Sequence, residues 1–128
     1  MLRSFLAAAV VVLSFPAFAG DPEAGAKDFK KCQACHAVGE DAKNKVGPVL
    51  NGLFGRAAGS VPDYIYSDAN KNSGIVWTPE IFAEYIKDPR AYMPGTAMAF
   101  AGLKKDEDIQ DIIAYLSQFN ADGTIKAN

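Results

Sequence analysis

Three stretches of the chain place apolar residues at helical spacing, and each carries start or stop chemistry at its ends. Ile109, Ile112, Ile113, Leu116 and Phe119 follow the i, i+3, i+4, i+7 rule, so a helix with one apolar face is predicted to begin near Asp106 and to end before Gly123. Thr78-Pro79 sets a capping hydroxyl before a proline. Ile81, Phe82, Tyr85 and Ile86 then share one stripe, and Asp88-Pro89 ends it, because a residue that precedes proline is pushed away from helical backbone. Asp21-Pro22 opens another helix in the same way, and the residues from Glu23 to His36 can continue as one. From Gly39 to Gly74 the pattern changes to Gly, Asn, Asp and Pro with scattered large apolar side chains, which predicts an ordered loop wrapped around something. No segment alternates with period two. The expected class is all-α, with three main helices, short ones and long loops.

The first nineteen residues read as an address. Arg3 precedes an apolar run from Phe5 to Leu13, followed by Ser14, Phe15, Pro16 and the small-residue exit Ala17-Phe18-Ala19, the order of a secretory signal peptide cleaved after Ala19. As a membrane anchor the run is too short, since a spanning helix needs about 20 apolar residues, and Pro16 interrupts it. A lipoprotein anchor would need cysteine at the new terminus, and the first cysteine is Cys32. The domain expected is therefore 20–128, exported to the periplasm, with no stable membrane insertion after cleavage. Without Arg3 it carries twelve basic side chains against fifteen acidic ones, which argues against a nucleic acid partner. No internal repeat or linker interrupts it. A domain this short buries a modest fraction of its surface and profits from a staple.

Cys32-Gln33-Ala34-Cys35-His36 supplies one, using both cysteines and the only histidine of the chain. On a helix, positions i, i+3 and i+4 share one face. Two thioethers from that face can fix the edge of a porphyrin while the adjacent imidazole meets its iron, and the spacing matches the C-x-x-C-H attachment of a c-type haem. Three other readings fit less well. A disulfide closing so short a loop adds little and leaves His36 unexplained. A thioredoxin-type redox pair expects a βαβ setting. Zinc needs a fourth ligand, and no further Cys or His exists. With His36 unique, the sixth iron position falls to methionine, to something weaker, or stays open. Met98 lies in Pro94-Gly95-Thr96-Ala97-Met98-Ala99-Phe100, a loop between the two later helices that could present its sulfur to iron. Met93, directly before Pro94, is expected to pack.

Taken together these residues resemble a class I cytochrome c of the small soluble type found in bacteria and mitochondria. The resemblance spans nearly all of the chain after the leader. Beyond Cys32–His36 it rests on 46–50 (VGPVL), 52–56 (GLFGR), 66–72 (YSDANKN), 74–77 (GIVW), 94–98 (PGTAM) and the last helix from Leu103 to Leu116. It implies long loops and helices around one covalently bound haem c, with His36 and Met98 as axial ligands to iron. It implies further that Gly25 and Phe29 cross the last helix near Ile112 and Tyr115, and that the Pro48 carbonyl accepts the Nδ1 hydrogen of His36. Arg56, Tyr66 and Trp77 would sit against the haem propionates, and Asn70, Tyr85 and Thr96 would belong to a network near the methionine sulfur and a buried water. Taken alone, Trp77 and Tyr85 read as core. Ala97 departs from the pattern, standing where many relatives have lysine, and one residue fewer separates Phe29 from Cys32 than in mitochondrial members.

The function implied is that of a monomeric, monohaem electron carrier, without enzymatic turnover, that exchanges single electrons through the exposed haem edge by transient docking. Its partners would be redox complexes: a quinol-oxidising complex, an oxidase, a reaction centre or a periplasmic oxidoreductase. Lys31, Lys43, Lys45, Arg90, Lys104 and Lys105 are candidates to ring that edge. Two rivals come from other classes: a haem enzyme or gas-binding cytochrome with a labile sixth ligand, and a thiol–disulfide module without haem.

Overall fold

In a computed structural model, residues 4–11 and 20–127 are described. The predicted cleavage site Ala17–Ala19 lies outside the described residues. Of the apolar run read as a leader, residues 5–11 have no helix and stand exposed. Among the described residues no helix is long and apolar enough to cross a membrane.

The secondary structure is helical, and among the described residues the only β pairings are the isolated bridges Ala57–Val76 and Phe119–Ile125. Helix α1 (Pro22–Asp28) starts where the Asp21 carboxylate accepts the Glu23 N–H at 2.9 Å, with proline at the first position. Short α2 (Asp68–Lys71) is capped by Ser67. In α3 (Pro79–Lys87) the Thr78 hydroxyl accepts the Ile81 N–H at 3.1 Å, and Phe82, Tyr85 and Ile86 are buried. Asp88 then leaves helical backbone at φ −160° and caps α4 (Pro89–Tyr92). Helix α5 (Asp106–Leu116) has no side-chain cap, but Asp106, Glu107 and Asp108 in its first turn complement the helix dipole.

The first helix is shorter than the predicted Glu23–His36. After Asp28 the chain tightens into a 3₁₀ turn (Phe29–Lys31), and Cys32–Cys35 forms a separate turn in which the His36 N–H reaches the Cys32 carbonyl at 2.8 Å. The physical reason lies in the backbone pairing. The Cys32 N–H closes on the Phe29 carbonyl at 2.8 Å, three residues back instead of four, and beyond the turn the carbonyls of Cys35 and Ala37 accept from the loop, from Gly47 N–H at 2.8 Å and Leu50 N–H at 3.1 Å.

The core forms where α1 and α5 cross. Ile109, Ile112, Ile113 and Leu116 are all but fully buried along α5, and Phe29, 2% exposed, packs its ring 5.4 Å from that of Tyr115. Gly25 is the closest point: a Cβ there would overlap the carbonyl oxygen of Asp111 and press on the Cβ of Tyr115. Each fully buried side chain of this size contributes roughly 1.5–3 kcal/mol. Because the obstacle to a Cβ at Gly25 is helix backbone, Gly25→Ala is expected to force the helices apart and cost roughly 1–3 kcal/mol. Guanidinium unfolding of the haem-loaded protein followed by circular dichroism reads this directly. An unchanged midpoint would mean that the crossing is not tight.

Candidate haem site

The loops between the helices close around a cavity of about 360 Å³, a size that suits a small cofactor site. Every site residue singled out in the sequence lines it: Cys32, Cys35 and His36 from the turn after α1, Pro48 and Arg56 from the long loop, Tyr66 and Asn70 at α2, Trp77 and Tyr85 around α3, and Thr96 and Met98 from the loop before α5. The floor is apolar, with Phe29, Leu53, Phe82, Ile112 and Leu116 facing in from the core. Met93 does not line the cavity and is buried in the core.

His36 is held on one side. Its Nδ1 lies 2.7 Å from the Pro48 carbonyl oxygen, which can only accept, so Nδ1 carries hydrogen and Nε2 keeps a free lone pair. Burial pulls its pKa below the usual imidazole value, Pro48 opposing this and Arg56 reinforcing it. Gly47 must be glycine here, because a Cβ would run into the imidazole ring. Cys32 and Cys35 are half-buried and not joined to each other, and before attachment burial, aided by Cys35, pushes the Cys32 thiol up to about 11.

Elsewhere in the cavity the Tyr85 hydroxyl donates to the Met98 sulfur at 3.1 Å, and the Thr96 hydroxyl accepts the Met98 N–H at 3.2 Å. Burial raises the Tyr85 pKa, with the Thr96 hydroxyl working against it. Trp77 packs edge-on to Tyr85 at 5.0 Å between ring centres. The Arg56 guanidinium donates to the carbonyls of Val49 at 2.8 Å and Asn51 at 3.1 Å, and burial lowers its pKa. Tyr66 accepts the Val61 N–H at 3.1 Å. Among the described residues the buried Asn70 side-chain oxygen finds no hydrogen-bond partner.

The family model described as Cytochrome c matches residues 22–120. The chain belongs to the cytochrome c family. Its relatives include cytochrome c2 of Blastochloris viridis, 60% identical over 111 residues that make up 87% of each chain, and cytochrome c-550 of Nitrobacter winogradskyi, 60% identical over 84% of this chain and 99% of that one. Among solved structures, cytochrome c2 from Rhodospirillum centenum superimposes with a TM-score of 0.75 at 41% identity, over 79% of this chain and 99% of the other. Cytochrome cH from Methylobacterium extorquens gives 0.72 at 42%, over 77% and 98%. The cytochrome is accordingly a class I, all-α, monohaem electron carrier, and its cofactor is haem c, with iron.

The residues of the cavity fit that cofactor. It brings together two thiols, a tautomer-fixed imidazole, a thioether, a guanidinium suited to carboxylates and an orphaned amide oxygen, over an apolar floor. Of the cations proposed for its rim, Lys31 lines the cavity, whereas the Lys45 ammonium is tied to the Gln33 carbonyl at 2.9 Å and that of Lys104 to the carbonyls of Lys87 and Ala101. Lys43, Arg90 and Lys105 are exposed but do not line it.

Two residues that pattern alone does not single out hold the loop carrying Pro48. The buried Asn51 side chain accepts the Gly39 N–H at 2.9 Å and donates to the Gly39 carbonyl at 2.8 Å, and Asn44 accepts the Val49 N–H at 2.9 Å while donating to the Pro62 carbonyl at 3.0 Å. The available signal was their place inside a long ordered loop, where asparagine mimics backbone pairing. Asn51→Leu leaves the Gly39 N–H without a partner and the Gly39 carbonyl with only the Ala42 N–H at 3.2 Å, so a loss of roughly 1–3 kcal/mol is expected in denaturant titration, against no change if water replaces the clamp.

Proposed function

We propose that the cytochrome is a soluble periplasmic carrier whose haem is joined through thioethers to Cys32 and Cys35 and ligated by His36 and Met98. The observation that carries this reading is the single cavity in which both thiols, the only imidazole and the Met98 sulfur converge. When bound, haem iron supplies a one-electron couple between ferric and ferrous states. His36, with Nδ1–H donated to Pro48, would offer Nε2 as a fixed and strengthened donor. Met98 would offer a soft sulfur, which favours the ferrous state. With His36 and Met98 both given to the iron, no position would be left for a substrate, and the chemistry would be electron exchange at the haem edge rather than turnover.

The remaining cavity residues would manage charge. Arg56 offers a cation to the propionates, with Tyr66 and Trp77 beside it, and Asn70, Tyr85 and Thr96 would set the polar surroundings of the sulfur. Partners would be redox complexes met transiently at the cavity mouth: a quinol-oxidising complex, an oxidase, a reaction centre or a periplasmic oxidoreductase. Residues 1–19 would direct export and be removed, and the product would work as a monomer.

The ferric protein should show the weak far-red absorption of a methionine–iron bond, and the reduced spectrum should not change under CO. Met98→Ala should abolish that band and admit CO. If CO shifts the unmodified protein's spectrum, the sixth position is open and the gas-binding or peroxidatic reading takes over. Loss of the Tyr85 hydroxyl should leave the Met98 sulfur a better electron donor, which favours ferric iron. Tyr85→Phe is therefore expected to lower the midpoint potential in spectroelectrochemical titration. A raised potential would contradict this role of the O–H···S bond.

A further inference from the structure

Asp111 is a buried carboxylate, 9% exposed, in the middle of α5, and no role at the haem site accounts for it. Its Oδ1 accepts the Asp21 N–H at 2.8 Å. Among the described residues it makes no ion pair. The charges that face it deepen the problem: Asp28 from α1 and Asp108 from α5 bring carboxylate oxygens within 4.8 Å of its own and of each other, and Glu107 and Lys31 stand near Asp28. Burial and the neighbouring Asp108 hold the Asp28 carboxyl above its ordinary pKa. Buried charges are normally paired, because an isolated one loses its hydration without recompense.

Gly20 packs at the same place. A Cβ on it would overlap the Gln110 carbonyl oxygen and lie 2.9 Å from the Asp111 N. Its nitrogen is one residue upstream of the amide that Asp111 holds, so bond lengths keep it within roughly 6.5 Å of the carboxylate. The proposed leader ends at Ala19. Hydrolysis of the Ala19–Gly20 bond adds water, leaving a carboxylate on Ala19 and an amine on Gly20 that takes up a proton near neutral pH.

We propose that leader removal creates the missing counter-cation: the new α-ammonium of Gly20 pairs with Asp111 at the α1–α5 crossing, so that processing itself tightens the packing of the mature chain. The inference rests on the cleavage position proposed above. An amine paired in this way binds its proton more tightly folded than unfolded. The stability it adds is therefore complete below the ordinary α-amino range of about 7.7–8.0 and is lost as pH rises through the folded value.

The experiment uses the full chain, exported and haem-loaded. Intact mass identifies the first residue, and NMR follows the Gly20 signals against pH. The expected α-amino pKa lies about one unit above the ordinary range, a tenfold gain in proton affinity. The gain should disappear in Asp111→Asn, which still offers an oxygen to the Asp21 N–H. Acetylating the α-amine should lower the unfolding midpoint at pH 7, and the difference should vanish at pH values above the folded pKa. This second comparison decides the matter even if Asp111→Asn fails to fold. A terminus other than Gly20 would overturn the cleavage reading and this inference together. A Gly20 terminus whose amine titrates in the ordinary range, or whose acetylation leaves the midpoint at pH 7 unchanged, would overturn this inference alone.

Discussion

The closest approach of two helix backbones, at Gly25 against the Asp111 carbonyl, governs where everything else can go. Once α1 is seated there, Phe29 falls one turn further on against Tyr115, and the 3₁₀ turn that follows carries Cys32 to the cavity wall. The other wall is set from the same place, because Ile112 and Leu116 of α5 belong both to the core and to the cavity floor. Helix packing and cofactor site thus share side chains, and distortion of one would be felt in the other.

Most of the cavity is nonetheless built by loop, and loop backbone has to find hydrogen bonds outside any helix or sheet. Here it finds them in side-chain amides and in the neighbouring chain. Asn51 behaves toward Gly39 like a paired strand residue, Asn44 joins Val49 to Pro62, and the Tyr64 hydroxyl donates to the Val46 carbonyl at 2.6 Å. The Pro48 carbonyl, free of backbone duty because its loop is secured by these neighbours, is left to meet His36.

Helices α3 and α5 were legible because their signals are local: a hydroxyl or acidic start, an apolar stripe and, for α3, a proline stop act within a few residues. The first helix was overextended because no glycine or proline marks its end, where the chain tightens from α to 3₁₀ pairing at Phe29–Lys31. The residues that line the cavity could be picked out in the sequence for the opposite reason. C-x-x-C-H exhausts the chain's cysteines and histidine, and resemblance carried the rest from Pro48 to Thr96. Asn44 and Asn51 escaped because an asparagine in a loop looks alike whether it clamps two segments or faces water. The sequence is equally silent on the lysines, since a charged residue in a sequence does not reveal whether its ammonium is already engaged, as those of Lys45 and Lys104 are.

That engagement has a kinetic meaning. Lys45 and Lys104 contribute to the long-range field that guides an approaching partner, but their ammonium groups are anchored on the cytochrome's own carbonyls. Reaching across an interface would require breaking those bonds first. Differences in affinity among related interfaces lie mostly in dissociation, so attraction without a grip shortens residence time while leaving arrival fast. For a carrier that must leave each complex before it can serve the next, quick release counts as much as capture.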